Sequence, residues 1–340
     1  MWHAWLVRGS LLLAGLGTGL SLLLSAMYSS QCRKRRDHPK EFAAEVERVR
    51  TALQSQQDRW KKLSAAAAAA AAAAHSSHSN NSSMSIRISV VVPAYNERAK
   101  LLEALAVCEK MVSSVDDIEF IIVDPGSSDD TFDAVTEAMA SKRFQLPIKL
   151  IRSASGRAAA LNAGADAATG DILLFLHADT TLPASFDELI RDTVRAHDVV
   201  SGAFSFSIDR SSFSSAASTP RGLALLEWFT NRRARKLMLP YGDQAMFMST
   251  TVFRAVGGFP AMPMMEDFEL SRILRDHARA LQRRVHIVSQ PALCSGRRWQ
   301  NNGVLWNTFL NHYFVFSYAI LHKPADQIFQ AYYGRPVAKS

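Results

Sequence analysis

Beyond Ile86 the chain repeats one pattern four times: a short run of apolar residues, then a stretch with helical spacing. The runs are Ile88-Ser89-Val90-Val91-Val92, Phe120-Ile121-Ile122-Val123, Ile148-Lys149-Leu150-Ile151 and Ile172-Leu173-Leu174-Phe175-Leu176. The stretches between them predict helices near 97–112, 129–140 and 157–168. Strands apolar on both faces, alternating with helices, belong in a parallel sheet covered on both sides. Ligands of such sheets gather at the carboxyl ends of the strands. The residues that follow each run therefore carry the question of function.

Composition narrows the setting. With 340 residues, 48% hydrophobic and 21% charged, the chain is neither disordered nor collagen-like. Its cysteines, Cys32, Cys108 and Cys294, are too far apart for a metal finger or a disulfide framework. The net charge of +8 suggests a polyanionic partner until it is divided by region. Residues 1–85 hold 11 Lys/Arg against 5 Asp/Glu, whereas residues 86–340 hold 28 against 26. The large domain is nearly neutral, which speaks against nucleic acid.

The first 85 residues read as an anchor, a stalk and a linker. Residues 9–31 contain no charge, long enough to cross a hydrocarbon core of roughly 30 Å. Arg33-Lys34-Arg35-Arg36 follows, so the positive-inside bias puts the remainder in the cytoplasm of a single-pass membrane protein. A cleaved signal or transit peptide is the competing reading, with Ala26 near a cut. Cys32, beside the basic block, is either a palmitoylation site or a plain thiol. Residues 37–74 form a helical, coiled-coil-like stalk: Phe42, Val46, Val49, Leu53, Trp60 and Leu63 make one stripe, and Ala65 to Ala74 is pure alanine. Residues 75–85 are a Ser/Asn-rich linker, whose sequons at Asn80 and Asn81 matter only in a luminal setting.

Three polar clusters fall at strand ends. They are Pro93-Ala94-Tyr95-Asn96-Glu97, Asp124 with Pro125-Gly126-Ser127-Ser128, and His177-Ala178-Asp179-Thr180. Asp124 can accept from the N–H edge of a base, and Asp179 can hold a divalent cation against a diphosphate. Each acid alone is more often a cap or a turn residue. Three clusters in register weaken that plain reading.

These motifs, with Arg157 to Gly170 (GRAAALNAGADAATG), resemble the family 2 glycosyltransferases of GT-A fold over roughly residues 86–300. Within that family the chain is most similar to the subgroup called transferase 2, rSAM/selenodomain-associated. The resemblance implies an α/β fold with a mostly parallel, Rossmann-like sheet flanked by helices. It assigns Pro93, Tyr95, Glu97 and Asp124 to the nucleotide, Arg157 to the base or phosphates, and Asp179 to the metal. Asn162 and Gly164 shape the helix and its approach to the sheet. The usual metal motif is Asp-x-Asp, and His177 stands at its first position. An imidazole suits Mn²⁺ better than Mg²⁺, so either cation stays open.

Downstream, Tyr241-Gly242-Asp243-Gln244 leads into an apolar strand, and Met265-Glu266-Asp267-Phe268 opens a helix. By resemblance this Glu266-Asp267 pair lies below the acceptor, with Asp267 the base. The plain alternative is a helix N-terminus enriched in acids for its dipole. Ser295-Gly296-Arg297-Arg298-Trp299 partly matches the Gln-x-x-Arg-Trp element of processive members, with Ser295 in place of Gln. Arg298 then reaches the pyrophosphate, or belongs to a solvated basic turn. Residues 301–323 form an apolar C-terminal helix, packed on the domain or lying at a bilayer interface.

The combined expectation is a membrane-anchored, inverting glycosyltransferase using a nucleotide-sugar, a UDP-sugar before others. It moves the sugar to an acceptor hydroxyl or lipid phosphate with Mn²⁺ or Mg²⁺. Two other classes remain: a nucleotidyltransferase, lacking the expected Gly-rich loop after the first strand, and a non-catalytic nucleotide-sugar-binding scaffold.

Overall fold

The computed structural model describes residues 38–74, 86–213, 219–297, 299 and 303–334. The expected anchor at 9–31 and linker at 75–85 lie outside them, as do Cys32, both sequons and Arg298. Among the described residues no helix is long and apolar enough to cross a membrane. The chain divides into two units, Met1–Glu45 and Val46–Ser340. Of the first, residues 38–45 are described, and from Pro39 they form the opening turns of helix α1 (Pro39–Ala74).

In the second unit the expected alternation is present almost residue for residue. It runs β1 (Ile88–Pro93), α2 (Arg98–Met111), β2 (Ile118–Asp124), α3 (Thr131–Ala140), β3 (Ile148–Arg152), α4 (Arg157–Ala167) and β4 (Ile172–Phe175). Then follow β5 (Thr180–Thr181), α5 (Phe186–Arg195), β6 (Val199–Ile208), α6 (Leu223–Leu237), β7 (Phe247–Ser249) and α7 (Thr250–Val256). The helix expected from Glu266 is α8 (Glu266–Ala280), followed by β8 (Arg284–Cys294), α9 (Val304–Ala319) and α10 (Ala325–Tyr333).

One sheet takes the order β3-β2-β1-β4-β7-β6-β8-β5. Strands β3, β2, β1 and β4 are parallel neighbours. The expectation of a mostly parallel sheet needs correcting beyond them. Strand β7 is antiparallel to both β4 and β6, β6 and β8 are parallel, and β5 is antiparallel to β8. The sheet is mixed because β7 is reached through a long excursion that re-enters from the opposite end.

Period-two alternation along the strands feeds two cores. Ile88, Val90, Val92, Phe120 and Ile122 pack beneath α2, α3 and α5. Val91, Ile121, Val123, Leu173 and Phe175 face the other way, onto α4, α7 and α8. Burying each such side chain stabilises the fold by about 1.5–3 kcal/mol. Val49 and Leu53 of α1 are buried in this second core, so that part of the stripe is packed against the domain. Helix α4 lies very close to the sheet: a Cβ on Gly164 would stand 2.3 Å from Val91 Cγ1. Asn162, two residues before it, holds the backbone of Phe259 with both amide atoms, at 2.8 and 2.9 Å.

Candidate active site

The carboxyl ends of β1 and β2 are sewn together by their own loops. Asp124 closes β2 fully buried, its Oδ1 accepting from Gly126 N at 2.9 Å and Ser127 N at 2.7 Å. Gly126 permits this turn at φ +99°. The other oxygen, Oδ2, is buried without a hydrogen-bond partner among the described residues. Leaving a buried acceptor in that state costs about 1–3 kcal/mol. Asn96 N donates to Ser127 Oγ at 3.0 Å, Asn96 Oδ1 accepts from Ser128 N at 2.8 Å, and Glu97 N donates to Thr131 Oγ1 at 3.1 Å. Tyr95 is held on this rim with its ring half exposed, beside a half-buried Pro93.

A second cluster faces solvent. Arg297 Nη2 lies 3.0 Å from Asp179 Oδ2 and 3.6 Å from Glu97 Oε2. Burial raises the Glu97 carboxyl above its usual range; Arg297 opposes the rise and Asp179 adds to it. Arg297 joins this cluster although reading the sequence singled out only its neighbour Arg298, which lies outside the described residues.

The third cluster is closed. Arg157 Nη1 lies 3.2 Å from Glu266 Oε1, whose side chain is only 3% exposed. A guanidinium N–H of Arg157 also donates to His177 Nε2. Asp267 Oδ2 accepts from Gly242 N at 2.8 Å, and its Oδ1 accepts from Phe268 N at 2.8 Å. Gly242 lets these side chains close in: a Cβ would stand 2.4 Å from Arg157 Nη2 and 2.9 Å from Asp267 Oδ2 and would push them aside. Burial raises the Glu266 carboxyl; Arg157 lowers it and Asp267 raises it further. The turn carrying Gly242 is stapled by fully buried Gln244, which accepts from Tyr241 N and Arg233 Nη2 and donates to Phe204 O at 3.0 Å. The Arg233 guanidinium stacks 3.5 Å over the Tyr241 ring.

Thus Glu97 and Asp179 come together, as do Arg157, His177, Glu266 and Asp267, while His177 and Asp179 share one short segment between the clusters. Among the described residues no group of three or more His, Cys, Asp or Glu is gathered as a ready metal cage. Residues 89–256 match the family model described as glycosyl transferase family 2. Those residues are a family 2 glycosyl transferase domain. Its architecture is a mixed sheet flanked by helices.

The domain is similar to undecaprenyl-phosphate 4-deoxy-4-formamido-L-arabinose transferases. That of Aeromonas hydrophila subsp. hydrophila is 32% identical over 118 residues, covering 33% of this chain and 35% of the relative. That of Klebsiella pneumoniae strain 342 is 31% identical over 116 residues, covering 34% and 36%. The chain thus spans about a third of the length of the curated relatives it matches. Among solved structures, the mannosyltransferase PcManGT from Pyrobaculum calidifontis, in complex with GDP-Man and Mn²⁺, aligns with a TM-score of 0.48 at 19% identity. That alignment covers 85% of this chain and 78% of the mannosyltransferase. S. aureus TarS 1-349 in complex with UDP-GlcNAc aligns with a TM-score of 0.47 at 17% identity, covering 73% and 72%.

Proposed function

We propose that the protein transfers a sugar from a nucleotide-sugar to a lipid phosphate at a membrane surface, with inversion. The observation that carries this reading is the convergence of acids on one rim of a family 2 glycosyl transferase domain. Asp124 lies at the end of β2, Glu97 and Asp179 beyond β1 and β4, and Glu266 and Asp267 at the start of α8. The named relatives act on undecaprenyl phosphate, which supports the acceptor class.

In this reading Asp124 accepts from the base, where its bare Oδ2 wants a donor. Pro93 and Tyr95 line the nucleotide, and a UDP-sugar is the donor expected first. Asp179, a hard oxygen ligand, fits a divalent cation such as Mn²⁺ or Mg²⁺ together with the donor's own oxygens. His177 fits less well, because its Nε2 lone pair accepts from Arg157. A bound cation would supply charge for the leaving diphosphate.

The acceptor oxygen forms a bond to the anomeric carbon as the bond to the diphosphate oxygen breaks, and the electron pair leaves with the diphosphate. Asp267 takes the acceptor proton where there is one to take. Glu266 and Arg157 hold Asp267 and its turn in place. A hydroxyl acceptor needs that base fully, whereas a phosphate acceptor arrives with an ionised oxygen and needs it less.

The surface suits a bilayer. Trp306, Phe309 and Tyr313 form an exposed ladder along α9, with ring centroids 5.8 and 6.3 Å apart. Exposed Trp228 and Arg232 lie on α6, the guanidinium 5.4 Å from the ring centre. Aromatic rings beside cations are at home at a lipid headgroup boundary. With the basic block at Arg33–Arg36, this favours a cytoplasmic-facing domain on a membrane.

The test is transfer from UDP-, GDP- and dTDP-sugars by the purified chain, to a polyprenyl phosphate and to a lipid alcohol. Asp267→Asn is expected to lower kcat by about 10²–10⁴-fold with a hydroxyl acceptor and by less with a phosphate. Full transfer to both by this variant would overturn the assignment of the base.

A further inference from the structure

Sheet register aims Arg297 at Asp179. Strand β5 pairs with β8 through Thr180 opposite Cys294 and Thr181 opposite Leu293. Asp179 immediately precedes β5 and Ser295 immediately follows β8, so the two meet at the end of one antiparallel ladder. The turn beyond is fixed. Gly296 N donates to Ser212 Oγ at 3.0 Å, and a Cβ on Gly296 would stand 2.5 Å from Ser212 Oγ and from Phe213 Cζ. Ser295 Oγ accepts from Arg297 Nε at 3.2 Å and orients the guanidinium.

The backbone before Arg297 is thus held against Ser212 and Phe213, while its head is nearly half exposed and lies between two carboxylates. A guanidinium stays protonated at any working pH, so its charge is permanent. It is also a planar fork suited to phosphate oxygens. Glu97 and Asp179 are the carboxylates it faces, and Lys100 is a further cation acting on Glu97. An exposed ion pair is worth at most a factor of about five in an equilibrium constant. Exchanging such a pair for a better partner is therefore easy.

We propose that Arg297 is a resident counter-cation of this rim, competing with a divalent cation for Asp179 and Glu97. It shields the two carboxylates from each other while no donor is bound. When they are given up to a divalent cation, its fork turns to the diphosphate oxygens of the donor. Arg297 is then a positioning residue whose two successive partners are protein acid and ligand phosphate. This rests on the nucleotide-sugar reading above, and it adds a competition that reading does not require.

The experiment measures Mn²⁺ binding to the full chain by electron paramagnetic resonance of the free ion, with and without UDP, and UDP binding by calorimetry. Arg297→Gln is expected to bind Mn²⁺ about three- to fivefold tighter without UDP, and UDP about three- to fivefold more weakly at saturating Mn²⁺. Arg297→Lys keeps the charge and loses the fork, so its Mn²⁺ affinity stays within twofold of wild type while UDP binding weakens. Unchanged or weaker Mn²⁺ binding by Arg297→Gln overturns the competition, and unchanged UDP binding overturns the handover. A wild-type chain that binds no UDP overturns the nucleotide-sugar reading itself, which separates the two failures.

Discussion

Arg157 pairs with Glu266, and Arg297 with Glu97 and Asp179, yet the first cluster is closed and the second is open to solvent. Arg157 meets a Glu266 side chain that is 3% exposed, while Arg297 meets Glu97 and Asp179 at 27% and 31%. Removing one partner of a buried pair leaves an uncompensated charge in low dielectric. An exposed pair is screened by water and weakens at little cost. The same chemical unit serves as fixed wiring in the first place and as an exchangeable contact in the second.

The strongest way to break this comparison is Arg157→Ala. Because the Arg157 side chain is itself 37% exposed, the loss is discounted from the fully buried case. It should still be about 2 kcal/mol in urea unfolding, because Glu266 stays behind unpaired. An unchanged midpoint would mean that the closed cluster is not structural.

Two acids sharpen it through pH, with opposite signs. Glu266 has a raised folded-state pKa, set first by burial. Its favourable contribution is therefore present below the unfolded value of about 4.3 and is lost as pH rises through the folded value. Wild type should lose stability relative to Glu266→Gln over that rise. Glu119 is shifted down: burial alone would raise it, but hydrogen bonds from Ser89 Oγ, Thr169 N and Thr169 Oγ1 at 2.6, 2.7 and 2.8 Å prevail. Its contribution is present above about 4.3 and is lost as pH falls through the folded value. Wild type should lose stability relative to Glu119→Gln on acidification. Thermal melts across pH 3–8 read both slopes, and slopes of the same sign would contradict the assignment.

The smallest effect is expected at Arg297→Gln, a change of less than about 0.5 kcal/mol in unfolding free energy. A loss larger than that of Arg157→Ala would abolish the distinction between the two clusters.

The parallel half of the sheet was legible because its strands are nearly pure Val, Ile, Leu and Phe, and the polar residues after them stand out. Strand β6 was not picked out, since Val199–Ile208 mixes serine and glycine among its apolar residues and lacks the nearly pure apolar run of the parallel strands. Ser201 and Ser205 are nevertheless buried, and Ser205 Oγ donates to Val288 O at 2.6 Å. Strand β8 hides for another reason. Its register jumps from Phe204 opposite Val288 to Ser205 opposite Pro291, so Ser289 and Gln290 are passed over by the ladder. A bulge scrambles the period-two signal on which sequence reading depends. The acids Asp124, Glu97, Asp179, Glu266 and Asp267 were picked out from their positions, whereas Arg297 depends on the β5–β8 pairing and could not be.

That pairing carries a consequence for motion. Strand β5 has only two residues, while β8 is tied to β6 along most of its length. Short ladders at a sheet margin open locally long before the body of the sheet does. Amides of Thr180 and Thr181 should exchange with solvent on a faster clock than those of β1 or β2. Each such opening parts Asp179 from Arg297 and, through His177, whose carbonyl accepts from Thr180 N at 3.1 Å, passes on to Arg157, so the rim breathes from its margin inward.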